Sequence, residues 1–169
     1  VILLRKGNPQ NIKSVADLLS DNVTLTCSNP VTEKASFSVY HEALQQMAVK
    51  AAVDQQALLN KLSVAGPNTV HSRIIHHREV PELIGSGRAD AAIIYYHLAL
   101  RYTRVFPDLF ELLDISEVLS ESPNCKDPTT RYHIGMIGDG GMWGSRFVDF
   151  MREDTAQSKY VEHGLVRLH

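Results

Sequence analysis

The chain has 169 residues, of which 44% are hydrophobic and 21% charged, which is typical of a soluble globular protein with one domain or two small lobes. Its formal net charge of −2 gives no electrostatic argument for nucleic-acid binding, which usually depends on a basic surface. No apolar run approaches the roughly 18 residues needed to cross a bilayer, so we expect no membrane insertion.

Apolar periodicity divides the chain into alternating strands and helices. In chain order, the first half is predicted to contain a strand at 1–4, a helix at 11–20, a strand at 23–27, helices at 37–51 and 54–64, and a strand at 70–75. The second half is predicted to contain a helix at 80–86, a strand at 89–95, a helix at 97–105, strands at 110–115 and 132–137, and helices at 143–151 and 156–163. This alternation predicts an α/β fold with a mostly parallel sheet and helices on both faces.

The segment at 120–130 interrupts this pattern. It is polar and contains Pro123 and Pro128, which favours a loop or hinge linker. Cys27 and Cys125 lie far apart in the sequence and fit either buried thiols or one disulfide, with free thiols as the favoured interpretation. Because no CxxC pair is present, a zinc ribbon or a thioredoxin-type redox site is not expected.

Four segments of the chain carry a family resemblance. They are VILLRKGNP at 1–9, GSGRADAAIIY at 85–95, YHIG at 132–135, and FVDFM at 147–151 followed by YVEHGL at 160–165. In this order and spacing they resemble the type 2 periplasmic solute-binding proteins of ABC transporters, especially the receptors for molybdate, tungstate and other inorganic ions. The second segment is similar to the family's strand that ends in a ligand-facing tyrosine.

The resemblance implies a two-lobed receptor that is not an enzyme and needs no cofactor. It assigns 1–8 to a hinge strand, 9–130 to the complete second lobe, and 131–169 to the return hinge strand and closing helices of the first lobe. The family normally has a further N-terminal segment, so the chain is expected to be a fragment or a divergent short form. The implied partners are a small inorganic ion and the membrane subunits of an ABC transporter. The implied location is periplasmic or extracellular, either lipid-anchored or soluble.

Together with the family resemblance, the polar residues near the predicted strand ends suggest an oxyanion site. Small anions bind where backbone N–H groups at a helix start meet hydroxyl donors, because the helix dipole favours negative charge. The loop before the long helix offers Lys34, Ser36 and Ser38, although Ser36 as a simple helix cap is the alternative. Tyr95 ends a buried strand, where α/β sheets place their ligands. Arg78 follows another strand and could pair with an anion.

A transition-metal site is the second interpretation of the same region. Tyr95 and Tyr96 resemble the vicinal tyrosine pair of ferric-ion receptors. The imidazoles of His76, His77 and His97 suit zinc, copper, nickel or iron. The alternatives are that one tyrosine packs in the core while the other covers the surface, and that the two neighbouring histidines belong to a solvated turn.

Other function classes find less support in the sequence. The glycine run at 138–141 lacks the lysine and the spacing of phosphate-binding loops, and no G-x-S-x-G or HExxH motif indicates catalysis. We therefore expect the substrate-binding component of an importer, with an oxyanion of the molybdate or tungstate type as its ligand. The alternatives are a ferric-type metal receptor of the same fold, a ligand-sensing effector domain of a transcription regulator and, with less support, an enzyme on this scaffold.

Overall fold

The computed structural model of this chain describes residues 1–115 and 131–167. The chain divides into two compact units, Val1–Pro128 and Thr129–His169, and this division lies close to the predicted boundary at residue 130. The predicted linker at 120–130, Cys125 and His169 lie outside the described residues. The assignment of the two units to a complete lobe and a partial lobe stays a prediction.

The first unit carries all the strands of the described residues. In chain order it contains β1 (Ile2–Arg5), a 3-10 turn (Ala16–Leu19), β2 (Leu25–Cys27), α1 (Lys34–Lys50), α2 (Gln55–Ser63), β3 (Thr69–His71), α3 (His76–Gly85), β4 (Ala91–Ile93), α4 (Tyr96–Val105) and β5 (Phe110–Leu113). The predicted helices at 37–51, 54–64 and 97–105 are confirmed to within a few residues. Strands β2, β3, β4 and β5 are confirmed in position but are shorter than predicted, whereas β1 has the predicted length and is shifted by one residue.

The five strands form one mixed sheet in the order β3-β2-β4-β1-β5. Strand β2 pairs in parallel with both β3 and β4, whereas β1 is antiparallel to both β4 and β5. Four strands therefore point the same way and β1 opposes them. The predicted α/β class with a mostly parallel sheet is confirmed.

Side chains alternate between the two faces of the sheet and bury a core on each. Leu25, Cys27 and Ile93 belong to the core that the sheet forms with α1 and α2. Leu3, Ala92 and Ile94 belong to the core that it forms with α3 and α4. Helices thus cover both faces, as the sequence predicts.

The helix predicted at 11–20 is wrong apart from the 3-10 turn at its end. Side chains replace the helical hydrogen bonds there, since the amide oxygen of Asn8 accepts from Ile12 N–H and the carboxylate of Asp17 accepts from Lys13 N–H and Ser14 N–H. Asn11 adopts a positive φ of 52°, which is incompatible with a continuing right-handed helix. Local side-chain hydrogen bonds therefore determine the backbone conformation of this segment, although its apolar spacing predicts a helix.

Helix α3 begins at His76, four residues before the predicted start, and continues through Pro81. A proline inside a helix leaves the carbonyl of the residue four positions earlier without its N–H donor. Here that carbonyl belongs to His77, and it accepts a hydrogen bond from the hydroxyl of Tyr102 on α4. This tertiary contact lets the helix include residues 76–79, which the sequence assigned to a turn after the strand at 70–75.

The second unit contains α5 (Gly141–Arg152) and α6 (Asp154–Glu162), which confirm the two predicted closing helices. Gly164 has a φ of 82°, as expected for the glycine that ends a helix. The strand predicted at 132–137 is wrong, because 131–136 has no regular structure. A strand needs a neighbouring strand to complete its hydrogen bonds, and no pairing with this segment exists within the described ranges.

Among the residues at 1–115 and 131–167, we find no helix with the length and apolar character required to cross a membrane.

Candidate functional site

The parallel strands β2, β3 and β4 lie side by side and end at one edge of the sheet, which we call the carboxyl edge. Helices α1, α3 and α4 begin shortly after these three strand ends. Each helix start carries a partial positive charge and N–H groups without helical acceptors. The carboxyl edge therefore brings three anion-attracting helix starts to one place, which is also where α/β sheets usually bind ligands.

The start of α1 has no side-chain cap. Its N-cap residue is Glu33, and no side chain of that position bonds the first turn of its own helix. Ser36 is the third residue of the helix, so the interpretation of Ser36 as the cap is wrong. As at any helix start, the first-turn N–H groups, including that of Ser36, have no acceptor within the helix.

The start of α4 also lacks a side-chain cap, and Tyr95 occupies its N-cap position. The Tyr95 ring is half-buried, with its centroid 5.1 Å from that of Tyr40 and 5.6 Å from the stacked ring of His97. Tyr96 is 44% exposed. The two neighbouring tyrosines thus have different environments, because one packs against the core beside the candidate site and the other faces solvent.

A polar network joins the loop after β2 to the start of α3, and it consists of Asn29, Glu33, Ser72 and His76. Glu33 is its centre. One carboxylate oxygen accepts from the His76 backbone N–H at 3.0 Å and lies 2.6 Å from His76 Nδ1. The other accepts from the Ser72 hydroxyl and from the Asn29 N–H at 3.4 Å. The start of α3 is therefore already occupied by a carboxylate of the protein itself.

These contacts set the ionisation of Glu33. Partial burial alone would raise its pKa, but hydrogen bonds from the backbone of His76, the hydroxyl of Ser72 and the imidazole of His76 outweigh it and lower the pKa to about 2. The neighbouring Cys27 behaves oppositely, since burial, followed by the charge of Glu33, raises the pKa of its thiol to about 12. Cys27 is a free, buried thiol, which agrees with the favoured interpretation for this residue.

His76 is buried, and both of its ring nitrogens are engaged. Nδ1 faces Glu33, and Nε2 lies 3.1 Å from the hydroxyl of Tyr40. Burial lowers the pKa of His77 and that of His97, which favours their neutral forms. Within the described parts of the chain, no group of three or more His, Cys, Asp or Glu side chains is arranged to hold a metal ion. The structure thus places His76 close to His77 but leaves no free ring nitrogen on His76 for a metal.

A residue that the sequence predictions did not include lies at the end of β2. Ser28 is fully buried, and its hydroxyl has no hydrogen-bond partner. In the ranges that the structure describes, it shares this property only with the Thr26 hydroxyl and Arg5 Nε. Buried polar groups are normally bonded, so an unpartnered hydroxyl at a strand end is a candidate for a ligand contact. Its position directly after a predicted strand is the sequence pattern that could have identified it.

Comparison with known proteins identifies the family. The sequence profile of the bacterial extracellular solute-binding proteins matches residues 1–166. The chain belongs to this family. No curated protein matches the chain.

Two solved structures show the same fold as this chain. The sulfate-binding protein SubI from Mycobacterium tuberculosis H37Rv is similar over 99% of this chain, with 15% sequence identity and a TM-score of 0.59. A glycosylated variant of PEB3 is also similar over 99% of this chain, with 16% identity and a TM-score of 0.55. The chain spans 55% of the first structure and 64% of the second.

The carboxyl edge of this chain brings together most of the predicted ligand residues. Ser36 and Tyr95 lie in or beside uncapped helix starts, and Lys34 opens α1 with its side chain exposed. Arg78 lies in the first turn of α3 and is exposed. Ser38 differs, because its hydroxyl donates to the carbonyl of Lys34 within the same helix at 2.9 Å.

Proposed function

We propose that this chain binds a small inorganic oxyanion at the carboxyl edge, as the receptor of an ABC-type importer, and does not turn it over. The observation that carries the proposal is the unpartnered Ser28 hydroxyl at the end of β2, together with the uncapped starts of α1 and α4 at the same edge. An oxyanion would satisfy both, since it accepts hydrogen bonds and carries the charge that helix dipoles favour.

Each predicted contact contributes one kind of interaction. Backbone N–H groups of the first turn of α1 donate to the anion, and the hydroxyls of Ser28, Ser36 and Tyr95 add further donors. Lys34 supplies positive charge at the edge, where solvent screens it. The resulting set consists mainly of neutral donors, which suits a compact tetrahedral anion such as sulfate, molybdate or tungstate.

The family and its structural neighbours support this proposal at a coarser level. The family is described as extracellular and solute-binding, which fits a receptor that acts outside the cytoplasm and passes its ligand to transporter subunits in the membrane. One of the neighbours is named as a sulfate-binding protein, and its similarity extends along 99% of this chain. The choice of molybdate or tungstate over sulfate rests on the sequence resemblance alone.

Thermal unfolding of the chain with added ions tests the proposal. We expect sulfate, molybdate or tungstate to raise the melting temperature, because a ligand that binds only the folded state adds about 2.7 kcal/mol at one hundred times its Kd. Sodium chloride at equal ionic strength is the control, and ferric, zinc and nickel ions test the metal-receptor alternative. Stabilisation by a metal ion without stabilisation by any oxyanion would contradict the proposal.

The adjacent tyrosines offer a matched pair of variants. Tyr95→Phe removes only a hydroxyl, and we expect it to weaken oxyanion binding about tenfold or more, since a hydrogen bond to a charged group contributes about 1.5–3 kcal/mol. Tyr96→Phe should leave the affinity within about twofold, as the exposed ring contributes no donor. Calorimetric titration with molybdate and sulfate measures both. Equal losses in the two variants would instead favour the vicinal-tyrosine metal site.

A further inference from the structure

We propose that Glu33 is a positioning residue of the oxyanion site, whose carboxylate anchors the start of α1 to the start of α3. This inference rests on the proposed function and names a residue that governs it without contacting the ligand. Glu33 is the N-cap residue of α1, yet its carboxylate bonds His76 and Ser72 instead of its own helix.

The direction of the Glu33 side chain has two consequences for the proposed site. A carboxylate that capped its own helix would occupy the N–H groups of the first turn and repel an incoming anion. Because the Glu33 carboxylate points to α3, the α1 donors stay open to a ligand. The negative charge is at the same time enclosed by four donor contacts from Asn29, Ser72 and His76.

The anchor links the ends of two neighbouring strands. Ser72 follows β3 directly, and its backbone N–H donates to the carbonyl of Cys27, the last residue of β2. Asn29 strengthens the link, since its side-chain amide donates to the Ser72 carbonyl and its backbone N–H to the Ser72 hydroxyl. The loop 28–33 that carries Ser28 and leads into α1 is therefore held at both ends, with Glu33 closing it.

Glu33 acts through these partners and not on the ligand. An ionised carboxylate only accepts hydrogen bonds and repels an oxyanion, and both oxygens of Glu33 are already engaged. Its role is to fix the orientation of the donors around it. A merely structural role would lower stability without a specific loss of affinity, and this difference can be measured.

Glu79 provides a matched control. Its carboxylate also accepts hydrogen bonds from loop backbone, namely from Arg73 N–H and from Ile74 N–H at 2.9 Å, but it lies within α3 and does not reach α1. Glu33→Ala and Glu79→Ala each remove one carboxylate that bonds the α3 region. Only the first removes the connection to the start of α1.

Calorimetric titration with molybdate and sulfate is the test, in wild-type protein and in both variants. We expect Glu33→Ala to weaken binding about tenfold or more and Glu79→Ala to change it less than about twofold. Added formate should refill the empty carboxylate position and recover part of the affinity of Glu33→Ala. In wild-type protein, formate should only compete with the ligand and lower the apparent affinity, so the two effects have opposite signs.

Amide hydrogen exchange gives a readout that needs no ligand. The N–H groups of residues 37–39 make the first hydrogen bonds of α1, beginning with Phe37 N–H to the Glu33 carbonyl at 3.0 Å. They should exchange faster in Glu33→Ala than in wild type or Glu79→Ala. Unchanged exchange, or wild-type affinity in Glu33→Ala, overturns the positioning role. Wild-type protein that binds neither anion instead overturns the proposed function, and with it the binding role of Glu33.

Discussion

The two ends of the parallel strands differ in how their buried polar groups are bonded. At the amino edge, where the strands begin, a buried carboxylate accepts hydrogen bonds from two donors, whereas at the carboxyl edge a buried hydroxyl has no partner. Asp90, just before β4, accepts from the Arg5 guanidinium at 3.0 Å and from Thr24 N–H at 2.9 Å. Ser28, just after β2, has no such partner. The Asp90 contacts at the amino edge stabilise the fold, although Arg5 Nε stays unpartnered there, and the Ser28 hydroxyl at the carboxyl edge is a candidate donor to a ligand.

The helix starts of the first unit repeat this contrast. Helix α2 is capped by its own N-cap residue, because the carboxylate of Asp54 accepts from Ala57 N–H at 3.0 Å. Helices α1 and α4, which begin at the carboxyl edge, have no side-chain cap. Leaving a helix start uncapped costs about 1 kcal/mol of stability, so the open starts carry a cost that ligand binding can offset.

The largest change in the free energy of unfolding is expected from a substitution at the amino edge. Asp90→Ala should lower the free energy of unfolding by about 2–3 kcal/mol, since it leaves Arg5 and Thr24 N–H without their acceptor. Urea denaturation measures the loss. The exposed pair Arg88–Glu82 is the control, and Glu82→Ala should change stability by less than about 0.5 kcal/mol. Similar losses in the two variants would show that the amino edge is no special source of stability.

Lowering the pH is expected to have an intermediate effect on the free energy of unfolding. The folded-state pKa of Glu33 is about 2, below its ordinary value of 4.5, so its stabilising contacts are fully present above pH 4.5 and are lost as the pH falls toward 2. Allowing for solvent screening, we expect wild-type protein to lose about 2 kcal/mol more than Glu33→Gln across this window. Urea denaturation at several pH values measures the difference. Parallel pH curves for the two proteins would refute the contribution of Glu33.

The smallest change in stability is expected from removing the two unpartnered hydroxyls. Ser28→Ala and Thr26→Val each remove a buried group without a partner, so each should raise stability slightly, by about 1 kcal/mol or less. Only Ser28→Ala should weaken oxyanion binding, because Thr26 lies within β2 and not at its end. Denaturation and calorimetric titration of both variants separate stability from affinity. An equal affinity in the two variants would remove Ser28 from the site.

The solute-binding family and the α/β class follow from the sequence, because the order and spacing of apolar residues are visible along the chain, whereas the location of the site stays a prediction. Phe37, Leu44 and Met47 recur at helical spacing and predict α1 without reference to any other segment. Sequence reasoning failed at α3, where the helix begins earlier than expected. There the Tyr102 hydroxyl compensates for Pro81, and Tyr102 lies 25 residues from His77, the residue that it bonds.

The sequence by itself determined most of the segments that become helices and strands, and it determined the membership of the extracellular solute-binding family, since local spacing and order are visible along one chain. The tertiary structure decided that Glu33 turns away from its own helix to bond His76, 43 residues further on, and that Ser28 stays without a partner. The physical reason is that hydrogen bonds between distant residues depend on which strand ends become neighbours. That arrangement is fixed only when β2, β3 and β4 assemble into one sheet.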